Sequence, residues 1–158
     1  RPQPEEFDLT IVLHQAVIAD RHTERAQNHR IQLDAKEGHC VVYLDRRKIR
    51  RVLENLVSNA VKYSPGTGKT VTVSLDFDDQ GVKVSFRDEG IGMNPEQLDR
   101  VLSEGGRAVD RTLGIEGAGF GLDSCRRVLE AQGGQIEAVS EPGKGSTFTA
   151  IFPRRLKI

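Results

Sequence analysis

From Asp45 to Pro65 the chain reads D-R-R-K-I-R-R-V-L-E-N-L-V-S-N-A-V-K-Y-S-P. Its apolar positions Ile49, Val52, Leu53, Leu56, Ala60 and Val61 recur at helical spacing. The pattern predicts one amphipathic helix. Asp45 is its N-cap, because a carboxylate can accept from the free amides of the first turn. Pro65 ends it by forcing Ser64 out of the α region.

Other segments fall into place around this helix. Residues 1–6 are polar and Pro-rich and read as a linker remnant; residues 7–158 read as one domain. Phe7 to Leu9 predicts a short strand, followed by a helix from about Thr10 to Gln27 with Val12, Leu13, Ala16 and Val17 inward. Ile31, Leu33 and Ala35 alternate as a strand, Gly38 turns, and Val41 to Leu44 returns as another. Val71, Val73, Leu75 and Phe77, then Val82, Val84 and Phe86 after D-D-Q-G, predict a hairpin with one buried face. Asn94-Pro95 caps a short helix carrying Leu98, Val101 and Leu102. Gly119-Phe120-Gly121 opens another, with Leu122, Cys125, Val128 and Leu129 inward and Gly133-Gly134 at its close. Ile136 to Ser140 and Thr147 to Phe152 form a last hairpin. The fold class is α/β, a two-layer sandwich: a mixed, mainly antiparallel sheet with about three helices on one face.

Composition narrows the functions available. At 158 residues the chain can bury a real core. Its 23 basic and 23 acidic residues cancel, which argues against nucleic acid as a partner. No apolar run approaches membrane-spanning length, and no signal peptide is visible, so no membrane contact by this stretch and a cytoplasmic setting are expected. The chain opens on Arg1, which suggests a piece of a longer parent that could itself be membrane-anchored. Cys40 and Cys125 lie in no metal-ligand spacing and read as reduced, partly buried thiols. His14, His22, His29 and His39 form no cluster at zinc-ligand spacing.

Candidate chemistry begins on the organising helix. Asn55 and Asn59 are one turn apart, and Lys62 and Tyr63 follow on the next turn of that side. A carboxamide oxygen can hold Mg²⁺. An ammonium suits phosphate, and a phenol ring suits a base or sugar. The alternative is four polar residues on a wet helix face. Three glycine clusters follow. Asp88-x-Gly90-x-Gly92 places a carboxylate at a strand end, where it can accept from an exocyclic amine and so select adenine over guanine. Gly117-x-Gly119-x-Gly121 sits at a helix start, where free amides favour phosphate. Gly143-x-Gly145-Ser146-Thr147 lies in the final turn. The second could equally be a hinge and the third a plain turn; it is their order after the Asn helix that is specific. Residues 103–118, with four glycines and no apolar period, read as a lid.

In this order the chain resembles the ATP-binding catalytic domain of sensor histidine kinases. That superfamily is shared with DNA gyrase, the mismatch-repair ATPases and a heat-shock chaperone. L-E-N-L-V-S-N-A-V-K-Y-S is similar to the N-box, D-E-G-I-G-M to the first glycine box, G-A-G-F-G-L to the second and G-K-G-S-T-F to the third. The likeness runs from about Phe7 to Pro153 and implies a Bergerat-type fold binding ATP and Mg²⁺. It implies that Asn59 ligates Mg²⁺, that Asn55 supports the metal or phosphates, and that Lys62 touches phosphate. Tyr63 would lie against the nucleotide, and Asp88, with Gly90 and Gly92 beside it, would bind the adenine amine. Thr147 would support Asp88 through water. Arg107 would reach the γ-phosphate, and Gly117, Gly119, Phe120, Gly121 and Leu122 would line the phosphate side. The implied reaction is γ-phosphoryl transfer to a histidine on a separate dimerisation domain of the same parent, with a response regulator downstream.

The chain departs from the family's pattern in two places. No aromatic residue stands between Gly92 and Gly117, where the family carries a docking patch. No histidine precedes Glu or Asp, as the family's phosphoacceptor does. Gyrase- and chaperone-type relatives carry a Glu base where Asn55 stands, so a kinase is favoured over a hydrolytic switch. An anti-sigma-type serine kinase, or a degenerate nucleotide-binding or docking module, remain the alternatives.

Overall fold

The computed structural model describes residues 1–21, 29–104 and 121–156. Strand β1 (Glu5–Asp8) leads directly into helix α1 (Leu9–Arg21). Strands β2 (Arg30–Ala35) and β3 (Val41–Leu44) precede helix α2 (Arg46–Lys62). Strands β4 (Thr70–Phe77) and β5 (Gly81–Arg87) follow, then helices α3 (Pro95–Glu104) and α4 (Leu122–Ala131), and finally strands β6 (Gln135–Glu141) and β7 (Gly145–Pro153). The described residues thus hold four helices, each where the pattern predicts one.

The main sheet has the order β2-β4-β5-β7-β6, with β2 parallel to β4 and every other pair antiparallel. This is the expected mixed, mainly antiparallel sheet. One pairing differs from the sequence reading. β3 does not return beside β2 but pairs antiparallel with β1, Glu5 opposite Leu44 and Asp8 opposite Val41. Glu5 and Glu6, which read as linker, are therefore hydrogen-bonded strand. Leu9, read as strand, is instead the first residue of α1, because Asp8 caps that helix by accepting from the Thr10 amide at 3.0 Å. Residues 22–28, the end of the predicted first helix, lie outside the described residues.

Alternation in the strands decides which face is covered. Val71, Val73, Leu75, Val82, Val84, Phe86, Phe148, Ala150 and Phe152 are buried against the helical layer. Leu9, Val12, Leu13, Ala16 and Val17 of α1 and Leu122, Cys125 and Leu129 of α4 complete the same core. α2 lies at its centre. Ile49, Val52, Leu53, Leu56, Ala60 and Val61 are buried as the spacing requires, and Val57 joins them. Asp45 caps α2 as read, accepting from the Lys48 amide at 3.1 Å. α3 opens on a reciprocal cap: the Gln97 amide donates to Asn94 Oδ1 at 2.8 Å and the Asn94 amide to Gln97 Oε1 at 2.9 Å. α4 closes in a Schellman turn, Gly134 N donating to the Leu129 carbonyl at 2.7 Å with Gly133 at φ +84°.

Candidate nucleotide site

Three of the motifs, far apart in sequence, converge where α2 ends. Tyr63 is the C-cap of α2, and its carbonyl accepts from the Ile91 amide at 3.2 Å. Gly90 packs so closely on that carbonyl that a Cβ would collide with it. Gly92, at φ +67°, sits equally close to the Glu141 carbonyl. The Gly143 amide donates to the Ile91 carbonyl at 2.7 Å. The glycines of the first box are therefore required by protein backbone. They hold the loop after β5 between the end of α2 and the β6–β7 turn.

Asp88 is fixed at the centre of this clasp and is 2% exposed. Its backbone amide donates to the Ser146 carbonyl at 2.9 Å. Its Oδ1 accepts from Gly90 N at 3.0 Å and Ser146 N at 3.1 Å. Its Oδ2 is buried and has no hydrogen-bond partner among the described residues. Burial pushes the Asp88 carboxyl up to about 6, against the opposing pull of the Gly90 and Ser146 amides. A buried acceptor left unsatisfied is costly, so this oxygen is suited to take a donor from a ligand or a water.

The residue that braces Asp88 is Ser146, not Thr147. Thr147 pairs with Arg87 and Val139, on the sheet face opposite Asp88. Alternation puts Ser146 on the covered face with Phe148 and Ala150. The Ser146 hydroxyl lies 2.6 Å from that of Ser140, whose Oγ accepts from the Met93 amide at 2.8 Å. Counting by twos back from Phe148 would have found Ser146 in the sequence.

On α2, Asn55, Asn59 and Lys62 lie half-buried along one flank. Asn55 Nδ2 donates to the Arg51 carbonyl at 2.8 Å, so its Oδ1 is the end turned away from the helix backbone. Tyr63 is the C-cap of α2 and is 3% exposed. Lys62 Nζ lies 5.4 Å from the centroid of its ring. Gly121 is the N-cap of α4 and Leu122 is buried. Arg107, Gly117, Gly119 and Phe120, with nearly all of the expected lid, lie outside the described residues. A cleft of about 480 Å³ lined by Asp78, Lys83, Gln135 and Pro153 lies at the far end of the sheet from Asp88.

The histidines have local roles. His14 Nδ1 bonds the Thr10 carbonyl at 2.8 Å, and His29 Nδ1 accepts from the Lys69 amide at 3.3 Å. His39 pairs with Asp8 at 2.7 Å. His22 lies outside the described residues. Both cysteines are free and buried, and burial pushes the Cys125 thiol up to about 12. No group of His, Cys, Asp and Glu among the described residues is arranged to hold a metal, so a cation here would rely on amide oxygen.

Residues 44–156 match the family described as histidine kinase-, DNA gyrase B-, and HSP90-like ATPase. The chain belongs to this family. The ATPase domain is 35% identical over 95% of its length to the adaptive-response sensory kinase SasA of Synechococcus sp. (strain CC9311). It covers 39% of that protein and so spans about two-fifths of the length of the curated relatives it matches. Among solved structures it is similar to a mycobacterial sensor histidine kinase, MprB, with TM-score 0.80, 22% identity and coverage of 98% and 100% of the two chains. It is also similar to full-length ShkA in complex with AMPPNP, with TM-score 0.76 and 26% identity, covering 97% of this chain and 31% of that one. In this ATPase domain the unsatisfied Asp88 Oδ2 suits an exocyclic amine, and the amide flank of α2 suits a hard cation and phosphate. Among the described residues no helix is long and apolar enough to cross a membrane.

Proposed function

We propose that the domain binds Mg·ATP and transfers the γ-phosphoryl group to a histidine on a separate dimerisation domain of the same parent, which then serves a response regulator. The observation that carries this is the buried, unsatisfied Asp88 Oδ2 beside an α2 flank built of amides and an ammonium. Asp88 accepts the adenine amine. Asn59 supplies the oxygen for the cation, Asn55 supports it, and Lys62 neutralises phosphate charge. Mg²⁺, when bound, draws charge from the phosphate oxygens during in-line transfer. Arg107 and the amides from Gly117 to Leu122 close the phosphate side, and residues 103–118 act as the lid. Ser146 takes the supporting role first assigned to Thr147.

Transfer is favoured over hydrolysis by Asn55. An amide cannot take a proton from water, and its nitrogen is already given to the Arg51 carbonyl. The relatives named as sensory kinases support the same reading. The parent would work at the cytoplasmic side. A docking module with a dead pocket is the second reading, and the missing aromatics between Gly92 and Gly117 favour it.

Radiolabel transfer from ATP separates these. The domain alone should bind ATP, hydrolyse it slowly and leave itself unlabelled, yet label the parent's acceptor hairpin, faster when tethered than in trans. Rapid hydrolysis by the domain alone places it with the switches, and no ATP binding places it with docking modules.

A further inference from the structure

Gln132 is a second polar side chain whose burial leaves work undone. It caps the C-terminus of α4 and is 0% exposed. Its Oε1 accepts from the Asp45 amide at 2.8 Å, which ties the end of α4 to the start of α2. Asp45 is held in turn by the Lys48 amide at 3.1 Å and the Gln3 amide at 2.8 Å. The opposite rotation of the Gln132 carboxamide would set a donor against the Asp45 N–H, so the network fixes which end is nitrogen. That nitrogen, Nε2, is buried and has no hydrogen-bond partner among the described residues. It carries two N–H donors, and leaving both without an acceptor is costly.

A cavity of about 330 Å³ adjoins it, lined by Glu130, Ala131, Gln132, Gly133, Pro153 and Leu156. Ala131 and Gly133 are exposed and Pro153 and Leu156 half-buried, so Gln132 forms its innermost wall. Charge narrows what the cavity can take. Glu130 is the ionisable side chain among these lining residues. The last carbonyls of α4 add the negative end of its dipole. Arg154 and Arg155 follow Pro153 in sequence but are engaged elsewhere. Arg154 donates to the Val41 and Asp78 carbonyls, and Arg155 lies over the Tyr43 ring at 4.8 Å from its centroid. A buried donor calls for an acceptor, and negative surroundings disfavour an anion. An uncharged carbonyl meets both conditions, with Ala131, Pro153 and Leu156 as apolar contacts for whatever carries it.

We propose that this cavity is a second ligand site, which takes a small uncharged carbonyl compound, an amide or ester with a short alkyl body. Its oxygen accepts from Gln132 Nε2, and its alkyl part lies against Pro153 and Leu156. The larger cleft at this end of the sheet shares Gly133 and Pro153 with the cavity, so a longer alkyl chain has room to continue. The site is independent of the nucleotide. Asp45 and Tyr63 stand at opposite ends of α2, about 25 Å apart, so both ligands can be bound at once.

The probe is hexanamide, with hexanoate as a control of the same shape that carries a charge, each titrated into the domain and followed by NMR. Hexanamide should shift the Gln132 side-chain amide signals and the backbone amides of Gly133 and Leu156, with half-saturation at about 1 mM. Hexanoate should bind at least about tenfold more weakly. Gln132→Glu keeps an oxygen for the Asp45 amide and removes the nitrogen, so hexanamide binding should fall at least about tenfold. Where that variant loses its circular dichroism melt, Leu156→Ala takes its place and should weaken hexanamide about threefold. ADP should leave the titration unchanged. No shift at Gln132 up to about 50 mM hexanamide overturns the proposal, since water alone then satisfies Nε2. Hexanoate binding as tightly as hexanamide overturns it too. Hexylammonium binding more tightly than hexanamide also overturns it, by assigning the cavity to the Glu130 carboxylate. Loss of hexanamide binding when ADP is added does the same, by placing the probe in the nucleotide site.

Discussion

The two ends of the candidate site are built in opposite ways. At the Asp88 end, position is set by backbone from three separated stretches: the carbonyl of Tyr63, the amides of Gly90 and Ser146, and the turn at Gly143. At the other end, Asn55, Asn59 and Lys62 are successive turns of one helix, half-buried on its flank. The first is a rigid receptor made by tertiary closure. The second is a row of side chains whose spacing comes with the helix and whose final geometry waits for a ligand. A base needs one fixed acceptor, whereas phosphates and a cation bring charge that can gather flexible groups. The difference teaches that a change at the Asp88 end should strike binding and fold together, and a change on α2 should strike chemistry alone.

Asn59→Ala is the largest expected break. It should lower phosphoryl transfer by about a thousandfold or more, as for loss of a group aimed at transition-state charge, with the melting temperature within about 2 °C of the parent domain. Transfer near the normal rate in the full-length protein would remove Asn59 from the metal. At the other end, Gly90→Ala drives a Cβ into the Tyr63 carbonyl. It should destabilise by about 3 kcal/mol or more, since backbone cannot move aside cheaply, and weaken nucleotide binding in step. Urea unfolding measures the first and calorimetry the second. A binding loss without a stability loss would mean that the clasp is not what positions Asp88.

Asp88→Asn sharpens the same contrast. It leaves the clasp's volume unchanged and replaces an acceptor facing the base with a donor. ATP affinity should fall about tenfold to a hundredfold, the worth of one charge-assisted hydrogen bond. Ser146→Ala should cost less, about threefold, by loosening the link through Ser140 to the Met93 amide. Thr147→Ala, on the open face, should change affinity by less than about twofold. If Thr147 mattered more than Ser146, the sheet register at Arg87 and Thr147 would be in question.

Each end was legible to a different degree. The α2 flank could be read directly, because helical periodicity fixes which side chains share a face without knowledge of the rest of the fold. Tyr63 lies at its limit, where the helix ends and periodicity stops applying. The Asp88 end was legible as residue types but not as an arrangement. That β1 takes β3 away from β2 depends on a pairing between residues 5–8 and 41–44 that no local pattern announces. Ser146 and Thr147 are one residue apart, and in a strand one residue is the other face. The sequence places Gly90 and Gly92 beside Asp88 but does not show what they are for: they make room for carbonyls of the protein itself.

The response to pH separates the two ends in another way. Asp88, raised to about 6 by burial, is the described site group with a resolved shift. Its folded pKa lies above that of the unfolded chain, so the stability it contributes is fully present below about pH 4 and is lost as pH rises through about 6. The apo domain should thus give up on the order of 3 kcal/mol from this group between those limits. Binding should run the other way. Oδ1 already accepts two amides, so a proton added to Asp88 sits on Oδ2 and blocks the acceptor that adenine needs. ATP affinity should therefore fall about fourfold between pH 7.5 and 5.5, the fraction of Asp88 left ionised setting the loss. Calorimetry across that range should also find protons released on binding near pH 6, and both signals should be absent in Asp88→Asn. The phosphates of ATP titrate in the same window, so ADP ribose and adenosine serve as controls: the dependence must persist with adenosine, which carries no phosphate. If it vanishes with adenosine, the titrating group is at the phosphate end, and the receptor at Asp88 is not what sets the pH response.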